Sequence, residues 1–334
     1  MKNVTIADVA KQAEVSKSTV SQYLNKRYDY MGEKTKQRIQ EAVEKLGYQP
    51  NIVARSLKQK ATKTIGVIVA NILHNFTTKV VRAIEDVCHA SDFHTIICNA
   101  DDDPVKEKYY IEMLRAKQVD GLIIFPTGDN RDLYQKMLDS SYPVVFMDRE
   151  VEGMDIPSIM LHNEKAAELA VEHFLEKGYR RIGMMTTSLI NHTTPRVERV
   201  EGYKKALRRS GIPIYKDYII SGEPQSLQTE LEELLHLERP PEGILAGNDL
   251  VLIEILKYAK QKGVRVPEDL AVIGIDDVSF ASFYTPAITT VAQPTFKMGK
   301  AGAELLLNIV QKQEETTKQA SLRFEPTLMI RDSV

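Results

Sequence analysis

Between Thr5 and Asn25 the chain carries two short helix-forming runs, each with its own start signal, separated by a turn that permits only a tight corner. In the first run Ile6, Val9, Ala10 and Ala13 fall on one face at helical spacing, and Thr5 followed three residues later by Asp8 makes a capping box. Ser16 caps the second run, in which Val15, Val20 and Leu24 can pack inward against the first. Lys17, Ser18, Ser21, Gln22 and Asn25 are left facing outward. They are short or hydrogen-bonding side chains of the kind that meet base edges when a helix is presented to a DNA major groove. The bland alternative is a two-helix turn with a solvated polar face.

A third helix is expected from about Glu33 to Leu46, with Ile39, Ala42, Val43 and Leu46 inward and Gly47 just past its end. It would close a three-helix core. Pro50 then stops one helix and Asn51 can cap another, only two turns long, through Ala54, Arg55 and Leu57. So short a helix is marginal alone and needs a partner, either its symmetry mate or DNA.

Charge divides the chain at the same place. Residues 1–64 hold 13 Lys or Arg against 6 Asp or Glu, a net +7, whereas the remainder holds 31 basic and 40 acidic residues, a net −9. A basic head on an acidic body is what phosphate attraction by one end alone requires. Lys2, Asp8 and Lys11 interrupt any apolar leader and no run is long enough to span a bilayer, so a cytoplasmic protein without membrane contact is expected. Cys88 and Cys98 have no metal-type spacing, and the reading is two reduced thiols with no metal and no cofactor.

After Lys63 the pattern alternates. Ile65–Ala70, His94–Cys98, Gly121–Phe125 and Val144–Met147 suit buried parallel strands, with helices expected at Val80–Cys88 and Lys106–Leu114. A second set follows, with strands at Arg181–Met185, Gly243–Ala246 and Leu270–Ile275 and helices at Glu164–Glu176, Val200–Ser210 and Leu250–Gln261. Two α/β units in tandem imply a cleft between them, with ligands beyond the carboxyl ends of the strands. The polar tract Gln311–Gln319 reads as a solvated loop.

Thr-Ile-x-Asp-Val-Ala, Val-Ser-x-x-Thr-Val-Ser-x-x-Leu-Asn and Gly-Tyr-x-Pro-Asn-x-x-Ala-Arg-Ser-Leu resemble the lactose-repressor (LacI/GalR) family of bacterial transcriptional regulators. Thr-Ile-Gly-Val-Ile-Val, Asn248-Asp249, Gly274-Ile275-Asp276-Asp277, Thr289-Thr290-Val291 and Gln293-Pro294 extend the resemblance over nearly the whole chain. It implies an N-terminal all-α helix-turn-helix head (1–49), a hinge helix and linker (50–62), and an α/β two-lobed periplasmic-binding-protein-like effector and dimerisation domain with parallel sheets (63–334). The first lobe would comprise about 63–161 and 293–322, and the second about 162–292 and 323–331, with crossings near 161, 292 and 323. Thr5, Ser16, Thr19, Thr35, Tyr48, Asn51, Ala54, Arg55 and Leu57 join the outward residues as the expected DNA contacts. Leu57, supported by Ala54, would be a minor-groove wedge. In the cleft, Arg199, three residues before Gly202-Tyr203, matches the family's ligand-binding arginine, Asn248 and Asp276 match its hydroxyl partners, and Gln293 a further polar contact.

The departures from the family pattern are informative. Gly222-Glu223-Pro224 lacks the aromatic expected to stack on a sugar face, while His74, Phe76, Arg149, His192, Arg196 and Arg199 gather near the expected cleft. The functional reading is an anionic effector, a sugar acid or keto-deoxy sugar acid, controlling carbohydrate catabolism. The alternative is that Arg149 and Arg196 pair with Glu150, Glu152 and Glu198 and never meet ligand. Gln22 stands where many members carry Arg, which shifts the expected base from guanine toward adenine. One residue is inserted before the third helix, where Gly32 replaces a Ser cap, and Tyr28 and Tyr30 are either phosphate donors or loop packing.

The expected mechanism is a homodimeric repressor on pseudo-palindromic double-stranded operator DNA, with an effector biasing the hinge between folded and disordered states. No heptad extension follows Arg331, which favours a dimer. An enzyme is disfavoured by the lack of a nucleophile with an adjacent base, a metal set or a phosphate loop, and a transport receptor has no use for residues 1–60. The rival within DNA binding is a global catabolite regulator whose partner is a phosphorylated carrier protein.

Overall fold

The computed structural model describes residues 4–29, 31–49, 61–189, 193–312 and 321–334. They form two units, Met1–Thr62 and Lys63–Val334. The expected hinge helix, with Asn51, Ala54, Arg55 and Leu57, lies outside the described residues, as does most of the 311–319 tract.

The first unit contains α1 (Ile6–Gln12), α2 (Lys17–Leu24) and α3 (Glu33–Leu46). The Asp8 carboxylate accepts from the Thr5 N–H at 2.8 Å and from its hydroxyl at 2.7 Å, which fixes the start of α1. Ser16 Oγ accepts from the Thr19 N–H at 3.1 Å and does the same for α2. Gly32 precedes α3 without a side-chain cap, and Gly47 ends it in the left-handed region at φ 59°, where the Tyr48 N–H returns to the Val43 carbonyl at 3.0 Å. Val9, Ala10, Ala13, Val20, Ile39 and Ala42 are the buried core of this unit.

In the second unit, β1 (Thr64–Val69), β2 (His94–Asn99), β3 (Gly121–Ile124), β4 (Val144–Met147), β5 (Ser158–Leu161) and β11 (Leu322–Phe324) form one parallel sheet in the order β11-β5-β4-β3-β1-β2. Because successive strand residues face opposite ways, Val67 and Val69 pack with α4 (Asn75–Ala90) and α11 (Thr295–Val310), while Ile68 packs with α5 (Pro104–Ala116) and α6 (Arg131–Asp139). The second sheet runs β12-β10-β9-β8-β6-β7, from β6 (Ile182–Thr187), β7 (Ile219–Gly222), β8 (Gly243–Ala246), β9 (Ala271–Ile275), β10 (Thr289–Ala292) and β12 (Thr327–Met329). Only β12 is antiparallel. Its faces are covered by α7 (Asn163–Glu176) with α8 (Thr194–Arg209), and by α9 (Leu227–Leu235) with α10 (Asp249–Lys262).

The chain passes between the sheets after Leu161, after Ala292 and after Phe324. All of Leu322–Phe324 pairs with β5, so the third crossing falls at 325–326 rather than at 323. The tail is held by Ser333, whose hydroxyl donates to the Val272 carbonyl at 2.6 Å and accepts from the Thr289 N–H at 2.8 Å.

Candidate functional site

On the first unit, Lys17, Ser18 and Gln22 are exposed on α2, and Thr5 and Ser16 are exposed at the starts of α1 and α2. Thr19, Ser21, Asn25 and Thr35 are half-buried. Asn25 closes α2, its amide donating one N–H to the Ser21 carbonyl at 2.7 Å, so its oxygen and its second N–H are left to meet a partner. Tyr48 packs against the core. Tyr28 stands edge-on to Tyr23 at 5.9 Å with Lys36 over its ring at 4.9 Å, a packed aromatic that keeps 38% exposure; Tyr30 lies outside the described residues.

The second unit has a cleft between its two sheets, at the carboxyl ends of the strands. His74, Phe76, Arg149, Arg196, Arg199, Asn248, Asp276 and Gln293 all line it, and His192 lies outside the described residues. Sequence reasoning missed Asn71, Phe125, Asp148 and Thr193, which line it too. Phe125 and Asp148 immediately follow β3 and β4, so the strand-end rule that picked out Asp276 would have found them. No aromatic comes from 222–224, yet Phe76 and Phe125 stand edge-to-face at 6.5 Å and give the first lobe an apolar wall. The space left to the centre of a water molecule is only about 40 Å³, room for about three waters. A sugar-sized ligand therefore requires the lobes to part.

Arg199 is 5% exposed and projects from α8. Its Nε donates to Asn163 Oδ1 at 2.9 Å and one amino group to the Gly247 carbonyl at 2.8 Å, and among the described residues it has no ion pair within 4.0 Å. Asn248 caps α10, its Oδ1 accepting from the Val251 N–H at 3.0 Å while its amide reaches Thr187 Oγ1 at 3.2 Å. Asp276 follows β9 in the left-handed region, φ 85°, a strained conformation for a non-glycine residue. It accepts from Gln293 Nε2 at 2.6 Å and forms no ion pair among the described residues. Burial, then the nearby Asp249 charge, pushes its carboxyl up to about 6 against the pull of Arg199. Asp148 Oδ1 and Gln293 Oε1 are buried without a hydrogen-bond partner among the described residues.

Several contacts cross the cleft. Asp249, at the start of α10, accepts from the Asn75 N–H at 2.6 Å and meets His74 Nδ1 at 2.6 Å. Burial alone would raise its carboxyl, but His74 and backbone donors hold it below the usual range. Thr194 and Glu150 exchange hydrogen bonds at 3.0 and 3.3 Å. Arg149 and Arg196 do not pair with Glu150, Glu152 or Glu198: both reach Asp102, at 2.6 and 3.3 Å, and it is Arg323 that holds Glu150 and Glu198. The reason is position, since Asp102 follows β2 toward Arg149 and Arg196 while Glu150 and Glu198 meet Arg323 in β11. Behind this cluster Glu107, fully buried, accepts from the Thr127 N–H at 2.7 Å and from the Tyr134 hydroxyl. It thereby fixes the turn whose Pro126 carbonyl also accepts from Arg149 at 3.3 Å.

No group of three or more His, Cys, Asp or Glu among the described residues could hold a metal ion, and no helix among them is long and apolar enough to cross a membrane. Residues 5–51 match the bacterial regulatory proteins of the lacI family, and residues 171–334 match the periplasmic binding protein-like domain. The chain is 48% identical to the probable HTH-type transcriptional regulator EndR of Paenibacillus polymyxa over 99% of its length and 98% of that protein's. It is 33% identical, over the same shares, to the HTH-type transcriptional repressor PurR of Aliivibrio salmonicida. The crystal structure of the Lac repressor dimer bound to operator and the anti-inducer ONPF matches with a TM-score of 0.87 at 26% identity, covering 99% of each chain. These relatives are regulators rather than enzymes. The chain belongs to the LacI family of bacterial regulatory proteins and is a DNA-binding transcriptional repressor.

Proposed function

We propose that a small sugar-derived effector binds the cleft of the second unit and sets the operator affinity of a homodimer, in the service of carbohydrate catabolism. The observation that carries this reading is Arg199: a buried guanidinium with two neutral acceptors and, among the described residues, no ion pair, facing Asp276, on the wall of a cleft between two lobes. Burying such a charge without a full set of partners is costly, which is what a site awaiting a ligand pays. The unpartnered oxygens of Asp148 and Gln293 call for hydroxyl donors, and Phe76 with Phe125 offers a face for a ring. Asn248 and Asp276 would hold ligand hydroxyls while a ligand carboxylate meets Arg199 or a neighbouring cation. A sugar acid or keto-deoxy sugar acid fits both requirements.

The Lac repressor structure is a dimer on operator, and the same arrangement is proposed for this chain. Lys17, Ser18, Ser21, Gln22 and Asn25 would read the major groove, Thr5, Ser16, Thr19, Thr35, Tyr48, Asn51 and Arg55 would complete the DNA surface, and Leu57 with Ala54 would open the central step. Effector binding would act by shifting the two lobes, since Asp249, Asp102 and Glu150 tie them together. Calorimetry of the full chain with a panel of hexuronates and keto-deoxy sugar acids, each beside its neutral parent sugar, tests the ligand class. Tighter binding of the acid is expected. Tighter binding of the neutral sugar would reject the acid and leave the repressor untouched.

A further inference from the structure

Two guanidinium groups in the cleft share one carboxylate. Asp102, on the first lobe, meets Arg149 of its own lobe at 2.6 Å and Arg196 of the second lobe at 3.3 Å. Among the described residues Arg149 and Arg196 otherwise donate only to neutral carbonyls, Pro126 at 3.3 Å and Ser188 at 2.8 Å, so two guanidinium groups share one directly bonded carboxylate, with Glu223 acting on Arg196 only through its charge. Arg149 is 7% exposed, and its Nε is buried with no acceptor among the described residues. The cluster therefore has more anion-binding capacity than it uses.

The backbone beneath Asp102 is pinned on both sides. Asp101 and Asp102 are both in the left-handed region, φ 53° and 55°, in succession and without a glycine. Asp102 N–H donates to the Ala70 carbonyl at 2.7 Å, and the next residue, Asp103, caps α5 through the Val105 N–H at 2.8 Å. Burial would raise the Asp102 carboxyl, but the Arg149 and Arg196 charges hold it below the usual range, so it is an anion whenever the protein is near neutrality.

We propose that Arg149 and Arg196 form a carboxylate subsite spanning both lobes, and that the Asp102 side chain occupies it as an internal stand-in which a carboxylate-bearing effector displaces. This rests on the reading of the cleft as an effector site and adds where the acid group goes and what it replaces. The exchange swaps one carboxylate for another, so the acid group takes the place that Asp102 vacates, while the rest of the ligand needs the lobes to part. It also converts a contact between loop 101–103 and the second lobe into contacts through the ligand, which couples occupancy to lobe position.

The test is chemical rescue in the full-length protein, with spin labels at Glu112→Cys on the first lobe and Gln261→Cys on the second, both exposed. Asp102→Ala should raise the population of longer inter-label distances about tenfold, the worth of one charge-assisted hydrogen bond. Sodium acetate or formate at tens of millimolar should restore the short distance, and sodium chloride at equal ionic strength should not. Arg196→Gln should lengthen the distance in the same way and should not respond to acetate. An unchanged distance in Asp102→Ala, restoration by chloride as well as acetate, or rescue of Arg196→Gln by acetate would each overturn the proposal. None of these measurements uses operator or effector, so their failure would leave the effector reading standing. Failure of that reading would instead appear as operator binding indifferent to small molecules.

Discussion

Replacing Gly202 by alanine should weaken the second unit although alanine is the better helix former. Gly202 lies on α8 where it crosses the start of α7, and a Cβ there would sit 2.3 Å from the Glu164 carbonyl oxygen, 2.6 Å from its Cα and 2.8 Å from its carbonyl carbon. All three are backbone atoms, so no side chain can swing away and the helices must separate by about 1 Å in a close-packed interior. Overpacking of this kind costs about 1–3 kcal/mol, and backbone contact places it near the upper end. The gain in helix propensity returns about 1 kcal/mol. A net loss of about 2 kcal/mol lowers the melting temperature of a unit this size by about 4–8 °C. Asn163 precedes Glu164 and accepts from Arg199 Nε, so the same displacement pulls Arg199 from its support. Scanning calorimetry of the full chain reads the stability. A melting temperature equal to or above the wild type would refute the reasoning, because without the clash only the propensity gain remains.

Asp276→Asn should stabilise the protein above about pH 6 and lose that advantage toward about pH 4. The folded carboxyl sits near 6 and the unfolded one near 3.8, so the folded state binds the proton more tightly and the wild type loses stability as pH rises between them; melting curves across this range would show a constant difference if the reasoning were wrong. Specific operator affinity should fall on the order of a thousandfold between about 50 and 200 mM salt if ~6 phosphates are neutralised, and a titration nearly flat in salt would contradict the electrostatic role of the +7 head. Gln22→Arg should move one symmetric operator position from adenine toward guanine by about 1–3 kcal/mol. Selection from a randomised operator library reads this, and an unchanged consensus would mean that the exposed Gln22 side chain does not touch a base.

Local signals were legible where a few neighbouring residues decide the outcome. Thr5 with Asp8, Ser16 with Thr19 and Gly47 after Leu46 mark the helix ends of the first unit, because capping is settled within four residues. Arg199, Asn248, Asp276 and Gln293 could be assigned to one cleft from the family resemblance and from their places at strand ends and crossings. Three-residue strands such as β11 and β12 are too short to show a period, and their pairing is set by a sheet built from distant segments. The same distance hid the cross-lobe contacts. Asp102 lies 47 residues from Arg149 and 94 from Arg196, and His74 lies 175 from Asp249, so neighbouring glutamates looked the better partners until the topology brought these groups together.

Occupancy of the cleft is proposed to control operator binding. Fluorescence anisotropy of a labelled operator, with and without the sugar acid that binds in calorimetry, measures it in the wild type and in Arg199→Met. Equal operator affinity of the two proteins is expected without ligand, with a change of at least about tenfold on adding it to the wild type and no change for the variant, since removing one partner of a buried charged contact costs about 2–5 kcal/mol of ligand binding. A variant that responds like the wild type would contradict control of operator binding through Arg199.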